Sequence, residues 1–157
     1  MNKPLNDKVE GIIMEVAEVA EYLWQRGWAE RNAGNISVNI NHLITDDSKY
    51  EVGDSYFDLS NTYPLLANHY FLVTGTGKRM RDLARQPLKN ALIIRMNEHG
   101  NGYWILSQEK PINIFLPTSE LPTHLAIHQM IHEKGSDKKV VMHTHVSELI
   151  AITQIPE

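Results

Sequence analysis

The sequence contains no cysteine, and this absence removes several classes of protein from consideration. Without cysteine, the chain has no disulfide framework, no thiolate nucleophile and no cysteine-based zinc finger. A protein without disulfides also fits a reducing compartment, and we therefore expect a cytoplasmic location.

The sequence also lacks an excess of positive charge and any long apolar run. Its 15 lysines and arginines are outnumbered by 19 aspartates and glutamates, which gives a formal net charge of -4. This balance, without a basic cluster, does not favour nucleic acid or an anionic membrane as a partner. No segment reaches the length needed to cross a bilayer, and the first residues show no signal-peptide core. We expect neither nucleic acid nor a membrane as a partner.

What the sequence does contain is enough apolar residues for one folded domain. They make up 42% of the 157 positions, more than a disordered chain contains. Strand hairpins are mixed with helical periodicity along the chain, which predicts an α/β fold with a mixed sheet flanked by helices. We take residues 1–157 as one domain. The predicted strands, some with their turns, occupy residues 34–40, 70–77, 91–106 (a hairpin), 112–117 and 138–145, and the predicted helices residues 6–31, 78–85, 121–135 and 146 onward.

The closing segment, SELIAITQIPE, begins an apolar helical pattern that stops without a glycine cap or a polar tail. We expect the domain to be truncated at this C-terminal end, as the front part of a longer protein. Truncation predicts uncovered apolar faces on the first helix, at Ile12, Val16 and Leu23, and on the last helix, at Leu149 and Ile152.

Two histidines, His143 and His145, lie two residues apart in the predicted strand at 138–145. Alternate residues of a strand project from the same face, so both imidazoles can reach one metal ion. Zinc accepts neutral imidazole, and an open coordination position makes it catalytic. The alternative is a pair of surface or hydrogen-bonded histidines.

Three other histidines, His124, His128 and His132, form one stripe of the predicted helix that follows residue 120. Histidines at this spacing can bind zinc, but Leu125 and Gln129 stand where a metalloprotease has its glutamate. We therefore predict that this stripe is structural or faces solvent.

A single carboxylate, Glu120, lies between two prolines in the segment LPTSELPTH. Proline restricts the residue before it, so the segment is stiff and suits the mounting of a general base. Alternatively, Glu120 belongs to the first turn of the following helix, with Thr118 or Ser119 as its cap.

Two turns are rich in glycine, hydroxyls and amides: RNAGNIS at 31–37 and TGTGK at 74–78. Backbone N–H groups in such turns form concave anion sites. Neither turn matches the Walker pattern, and each alone is typical of an ordinary turn. Together with residues 117–119, they can supply a phosphate cradle without arginine.

In this order, the segments GWAERNAGNISV, FLVTGTGKRMRDL, LPTSELPTH and VVMHTHVSELIAIT resemble the class II, zinc-dependent sugar-phosphate aldolases. The TSELP step is closest to the L-rhamnulose-1-phosphate aldolase branch. The resemblance implies a three-layer α/β/α fold with a mixed, largely antiparallel central sheet, a C4 homotetramer and a lyase of rhamnose metabolism. It also implies reversible retro-aldol cleavage of L-rhamnulose 1-phosphate to dihydroxyacetone phosphate and L-lactaldehyde, assisted by one zinc ion per subunit.

The same resemblance implies roles for individual residues. Glu120 matches the catalytic acid/base, and His143 and His145 match two zinc ligands. The third zinc histidine is expected beyond residue 157, so zinc binding and activity are expected of the longer protein rather than of this chain. The positions that match substrate binding are Asn32, Gly34, Asn35, Gly75, Thr76, Gly77, Thr118 and Ser119.

Two other functions stay open beside this one. A 4-epimerase of pentulose phosphates uses the same retro-aldol step, and the TSELP context argues against it. A non-catalytic scaffold domain of the adducin kind has a degraded metal site, and the intact Glu120, His143 and His145 argue against that reading.

Overall fold

The computed structural model describes residues 6–45, 55–106 and 115–155 of the chain. Within these ranges, no helix is both long and apolar enough to cross a membrane. The helices are α1 (Asp7–Gln25), α2 (Met80–Arg85), α3 (Leu121–Glu133) and α4 (Ser147–Thr153). The strands are β1 (Asn35–Asn39), β2 (Tyr56–Asp58), β3 (Tyr70–Thr74), β4 (Ala91–Met96), β5 (Gly102–Leu106) and β6 (Val140–His143).

The strands form one sheet in the order β2-β5-β4-β3-β1-β6, and each neighbouring pair is antiparallel. The prediction of a largely antiparallel central sheet is therefore confirmed, and the predicted hairpin at 91–106 forms β4 and β5. The strands that come first and last in the chain, β1 and β6, lie side by side. Their pairing sets Asn35 opposite His143.

Helices cover both faces of this sheet, so the expected three-layer α/β/α arrangement is present. On one face, α1 and α2 share a core with the strands, and on the other face α3 does so. Along β3, Leu72 belongs to the first core and its neighbours Phe71 and Val73 to the second, as the alternation of strand side chains requires. Leu125 of α3 is fully buried in the second core.

The first helix is shorter than its apolar pattern over 6–31 predicts. It ends at Gln25 because Gly27 adopts a φ of 73° and closes a Schellman motif. In this motif the N–H of Trp28 donates to the carbonyl oxygen of Leu23 at 3.0 Å. The chain therefore turns before the segment at 31–37.

The apolar residues that the sequence predicts to be uncovered are exposed on α4 and not on α1. Val16 and Leu23 are buried and Ile12 is partly buried, because α2 covers this face of α1. The expectation of an uncovered α1 is therefore wrong. On α4, Leu149 and Ile152 are 61% and 63% exposed, as the sequence predicts.

Two glycines with similar backbone angles allow a test of close contact in the fold. Gly100 has a φ of 69°, and a Cβ there would overlap the backbone carbonyl of Tyr63. Gly135, which ends α3 as predicted, has a φ of 62° and nothing near its Cβ position.

We expect Gly135→Ala to cost only the left-handed backbone strain of about 1–2 kcal/mol. Gly100→Ala should lower the free energy of unfolding by roughly 3 kcal/mol or more, because the backbone must also move. Urea unfolding of both variants measures the difference, and equal losses would contradict the predicted contact.

Candidate active site

A polar cleft of about 180 Å³ lies where β1 begins and where its neighbours β3 and β6 end. Because these neighbours are antiparallel to β1, the three strand ends meet at one edge of the sheet. The segment that leads into α3 reaches the same edge. The cleft is lined by every residue that the sequence predicts for the site, namely Asn32, Gly34, Asn35, Gly75, Thr76, Gly77, Thr118, Ser119, Glu120, His143 and His145.

Two further residues, Ala33 and Lys78, line the cleft without having been selected from the sequence. Lys78 brings a cationic side chain, whose Nζ lies 4.3 Å from the ring centre of Phe115. The signal in the sequence is the lysine that closes TGTGK. Sequence reasoning passes over it because the run is too short for a Walker motif.

A larger cavity of about 470 Å³ adjoins the cleft and shares Asn32 and Gly77 with it. It is lined by three arginines, Arg31, Arg79 and Arg81. The arginines thus line the cavity beside the cleft, and the residues that line the cleft itself bring one cationic side chain, that of Lys78. The carboxylate, imidazole and hydroxyl groups line the smaller cleft, so the chemistry is assigned there.

The turn before β1 has a backbone conformation and a close contact that together require glycine. Gly34 has a φ of 83°, where side chains are disfavoured. A Cβ on this residue would lie 3.3 Å from the carbonyl oxygen of His143 and 3.4 Å from Cβ of Ala29. The turn thus lies directly against the end of β6, which brings Asn32 and Asn35 to the cleft.

The second glycine-rich turn is joined to the segment before α3 by backbone hydrogen bonds. Gly75 forms an antiparallel bridge with Pro117, part of a predicted strand whose residues 112–114 lie outside the described ranges. The N–H of Thr76 donates to the carbonyl oxygen of Leu116, and the N–H of Thr118 to that of Thr74, each at 2.8 Å. These bonds hold the 74–78 turn beside the hydroxyls of 118–119.

Glu120 occupies the position just before α3, but its carboxylate does not cap the helix. The Nδ1–H of His143 donates to Oε2 of Glu120 at 2.6 Å, and both side chains are 40% exposed. Thr118 makes the local turn contact, since its Oγ1 accepts the N–H of Glu120 at 3.3 Å. The alternative of Glu120 in the first turn, capped by Thr118 or Ser119, is therefore wrong: Glu120 is itself the N-cap residue, and its acid group faces the cleft.

His143 is the last residue of β6, and the prediction that His145 belongs to the same strand is wrong. The ladder stops at the pair of Asn35 and His143, because the chain before Asn35 turns away. Beyond it, the N–H of His145 and the hydroxyl of Thr144 donate to the carbonyl oxygen of Trp28 at 2.8 and 2.6 Å. The rings of His143 and His145 still lie together, with centroids 4.9 Å apart.

The chemistry of this histidine pair fits a divalent metal ion that prefers imidazole. A metal-binding histidine commonly donates its second ring N–H to a carboxylate, and Glu120 accepts that bond from Nδ1 of His143. Nε2 of His143 is then the nitrogen left for a metal. In residues 6–45, 55–106 and 115–155, no group of three or more His, Cys, Asp or Glu is arranged to hold an ion.

The histidine stripe of α3 is divided between the protein interior and the surface. His124 and His128 are buried, and both bond to the hydroxyl of Ser37, at 2.7 and 2.8 Å. His132 is exposed, and its ring lies beside that of His69. His124 and His128 are therefore structural residues of the interior, and His132 is a surface residue.

Burial sets the protonation state of the two inner histidines. It lowers the pKa of His128 to about 4, with the neighbouring His124 acting in the same direction. Burial also lowers the pKa of His124, although the carboxylate of Glu120 opposes the shift. Both imidazoles are therefore neutral in the folded protein near pH 7.

The chain belongs to the Class II Aldolase and Adducin N-terminal domain family, which it matches over residues 14–157. The rhamnulose-1-phosphate aldolase of Bacteroides thetaiotaomicron is 46% identical over 142 residues, covering 90% of this chain and 51% of the relative. That of Mannheimia succiniciproducens is 34% identical over 138 residues, covering 86% and 50%. The resemblance seen in the sequence motifs is thereby confirmed.

A solved structure is also similar in fold. The sugar-phosphate aldolase from Thermotoga maritima matches with a TM-score of 0.77 at 32% identity, and the match covers 94% of this chain and 59% of that chain. The chain spans about half the length of the curated relatives it matches.

The buried His128 predicts a specific loss of stability in acid. The unfolded chain takes up this proton near pH 6.5, whereas the folded protein does so only near pH 4. Acid therefore favours unfolding between pH 6.5 and 4. The contribution of neutral His128 to the free energy of unfolding is fully present above pH 6.5, and it is lost as the pH falls to 4. We expect a loss of about 3 kcal/mol from this group. Urea unfolding between pH 7 and 4 should show a shallower pH dependence for His128→Gln than for the exposed control His132→Gln. Identical slopes would contradict the assignment.

Proposed function

We propose that the chain is the part of a zinc-dependent L-rhamnulose-1-phosphate aldolase that carries the acid/base, two metal ligands and the phosphate-binding turns. The observation that carries the proposal is the contact of Glu120 with His143 in a cleft bordered by two glycine-rich turns. The names of the two curated relatives support the same substrate.

Glu120 is proposed as the group that moves protons in the reaction. Retro-aldol cleavage breaks one carbon–carbon bond, removes a proton from the hydroxyl that becomes the aldehyde, and returns a proton to the other carbon. A half-exposed carboxylate at the cleft can accept the first proton and deliver the second. Its contact with His143 keeps the carboxylate beside the metal-binding nitrogens.

His143 and His145 are proposed as two ligands of one zinc ion, with a third histidine from residues beyond 157. Glu120 holds Nδ1 of His143 and so orients the ring with Nε2 available. When bound, zinc supplies Lewis-acid stabilisation of the negative charge that develops on the substrate oxygens.

The two glycine-rich turns are proposed to hold the phosphate group. Amide and hydroxyl donors come from Asn32, Asn35, Thr76, Thr118 and Ser119, all of which line the cleft. The positive φ values of Gly34 and Gly77, 83° and 66°, suit turns whose backbone N–H groups face an anion, while Gly75 shapes its turn by donating its N–H to the carbonyl oxygen of Asn90. A phosphate held between these two turns fixes the position of the reacting carbons of the substrate relative to Glu120.

We further propose a cytoplasmic homotetramer with C4 symmetry that acts in rhamnose metabolism. The exposed apolar side chains of α4, including Leu149 and Ile152, support association with further polypeptide. The absence of cysteine fits the compartment. Light scattering of the full-length gene product tests the oligomeric state.

The activity is tested with the full-length gene product, zinc and L-rhamnulose 1-phosphate. Dihydroxyacetone phosphate is measured by coupling its reduction to oxidation of NADH. The proposal requires its release together with L-lactaldehyde. Conversion of a pentulose 5-phosphate to its 4-epimer without cleavage would assign the epimerase reaction instead, and no turnover of either substrate would leave a scaffold domain.

Glu120→Gln should remove catalysis and leave zinc binding and folding intact. General acid–base groups typically contribute about 10²–10⁴-fold, so we expect kcat to fall by this factor. Glu133→Gln, at the exposed opposite end of α3, is the matched control and should keep full activity. Near-normal turnover of Glu120→Gln would leave Glu120 as a residue of the helix start only.

Replacing the metal ligands should remove zinc and activity together. We expect His143→Ala and His145→Ala each to lose most of the zinc found by elemental analysis. His99→Ala, an exposed histidine in the β4–β5 turn, is the control and should retain it. Full zinc occupancy in the His143→Ala/His145→Ala double variant would refute the ligand assignment.

A further inference from the structure

A continuous chain of buried hydrogen bonds runs from α3 to the cleft along one face of β1. Nε2 of His128 lies 2.8 Å from Oγ of Ser37, and the same oxygen lies 2.7 Å from Nδ1 of His124. Nε2 of His124 in turn contacts Oδ1 of Asn35, which lines the cleft. All four side chains are at most 6% exposed. None of these contacts is needed to make the helix or the strand, so their arrangement calls for a separate account.

We propose that this chain of bonds, the His128–Ser37–His124 relay, fixes the side-chain amide of Asn35 so that its NH2 group faces the cleft. His124 and Ser37 are then positioning residues for substrate binding. The inference rests on the proposed function in one respect, because Asn35 is among the residues proposed to bind the phosphate.

The direction of the relay follows from which atoms can donate. Oδ1 of Asn35 can only accept, so Nε2 of His124 must carry a proton. A neutral His124 then has a bare Nδ1, which accepts the hydroxyl proton of Ser37. Because Ser37 has only one proton, its oxygen must accept from Nε2–H of His128. Each bond therefore determines the polarity of the next.

Burial makes the polarities of the three bonds interdependent. The lowered pKa values of His124 and His128 keep both rings neutral, and a neutral imidazole has one donor and one acceptor nitrogen. The ring of His128 also lies against Phe71, with centroids 4.9 Å apart, which limits its rotation. Reversing the amide of Asn35 would require all three bonds to reverse together or would leave buried polar atoms unpaired.

The polarity of the relay determines which group of Asn35 faces the cleft. The only acceptor on the side chain of Asn35 is occupied by His124, so Nδ2–H2 remains as a donor toward the cleft. An anionic phosphate accepts hydrogen bonds from such a donor. With the amide reversed, the carbonyl oxygen would face the anion and repel it. The relay thus selects the orientation of Asn35 that suits a negatively charged ligand.

The first arm of the test measures the relay directly, without any catalytic assay. Nitrogen-15 NMR of the histidine side chains in the full-length protein near pH 7 reports which ring nitrogen carries the proton. We expect His124 and His128 both to be protonated on Nε2. A proton on Nδ1 of either residue would overturn the inference.

The second arm measures the effect on ligand binding with inorganic phosphate as the probe, in the zinc-loaded full-length protein. Ser37→Ala breaks the relay in the middle and releases Asn35. We expect the Kd for phosphate to rise about fivefold, the equivalent of one hydrogen bond. The KM for the sugar phosphate should rise likewise, while kcat changes less than about twofold because Glu120 and the metal ligands are untouched. An unchanged Kd in folded Ser37→Ala would overturn the inference.

Three further variants separate positioning from general loss of structure. His124→Gln can place an amide donor near the position of Nε2 and should keep the phosphate Kd within about twofold of wild type, whereas His124→Leu should behave like Ser37→Ala. Asn39→Ala removes a comparable bond on the same strand face, to His69 at 3.1 Å, without contacting Asn35. It should lower stability and leave the Kd unchanged. A similar rise in Kd for Asn39→Ala would overturn the inference.

The two proposals fail separately. Absence of aldolase activity, together with the Nε2–H tautomers and a weaker phosphate affinity in Ser37→Ala, would support the relay and refute the proposed function. Aldolase activity together with a proton on Nδ1 of His124 would support the proposed function and refute the relay.

Discussion

The pairing of β1 with β6 is the contact on which the rest of the site depends. It joins the strands that come first and last in the described chain and sets Asn35 opposite His143. With β3 on the other side of β1, three strand ends and the start of α3 meet at one edge of the sheet. Residues from four separate segments therefore line a single cleft. A shift of one residue in this register would turn every side chain of β6 to the opposite face.

β1 has a different chemistry on each of its two buried faces. Ile36 and Val38 join the core beneath α1 and α2. The alternate residues, Asn35, Ser37 and Asn39, are also buried but polar. The first two bond to histidines of α3, and Asn39 bonds to His69. Buried polar groups are costly unless they are paired, so strand and helix must supply each other's partners. This requirement explains why α3 carries histidine on the side that faces the sheet, where an ordinary amphipathic helix has leucine.

The segment after β6 is held by one residue near the end of α1. The carbonyl oxygen of Trp28 accepts bonds from Thr144 and His145, and its indole Nε1–H donates to Glu148 at 3.3 Å. Trp28 is placed there by the Schellman motif that ends α1. The ring of His145, which lies beyond the last ladder pair, is thus brought to the ring of His143 by a helix end, and this is a different cause from the strand geometry that their spacing predicts.

The sequence by itself determined the residue types, the order of the motifs and most of the elements, because helical and strand periodicity and turn chemistry are properties of neighbouring residues. Periodicity therefore predicted an α/β fold, and the resemblance of the motifs predicted the family, the largely antiparallel sheet and the residues that line the cleft except Ala33 and Lys78. Only the tertiary structure decided which groups touch: Glu120 against His143, and Asn35 against His124 across 89 positions of sequence. It also decided that the polar face of β1 is buried, that α1 is covered by α2, and that His145 lies outside β6. These outcomes depend on register and on packing between distant elements, which local pattern does not contain.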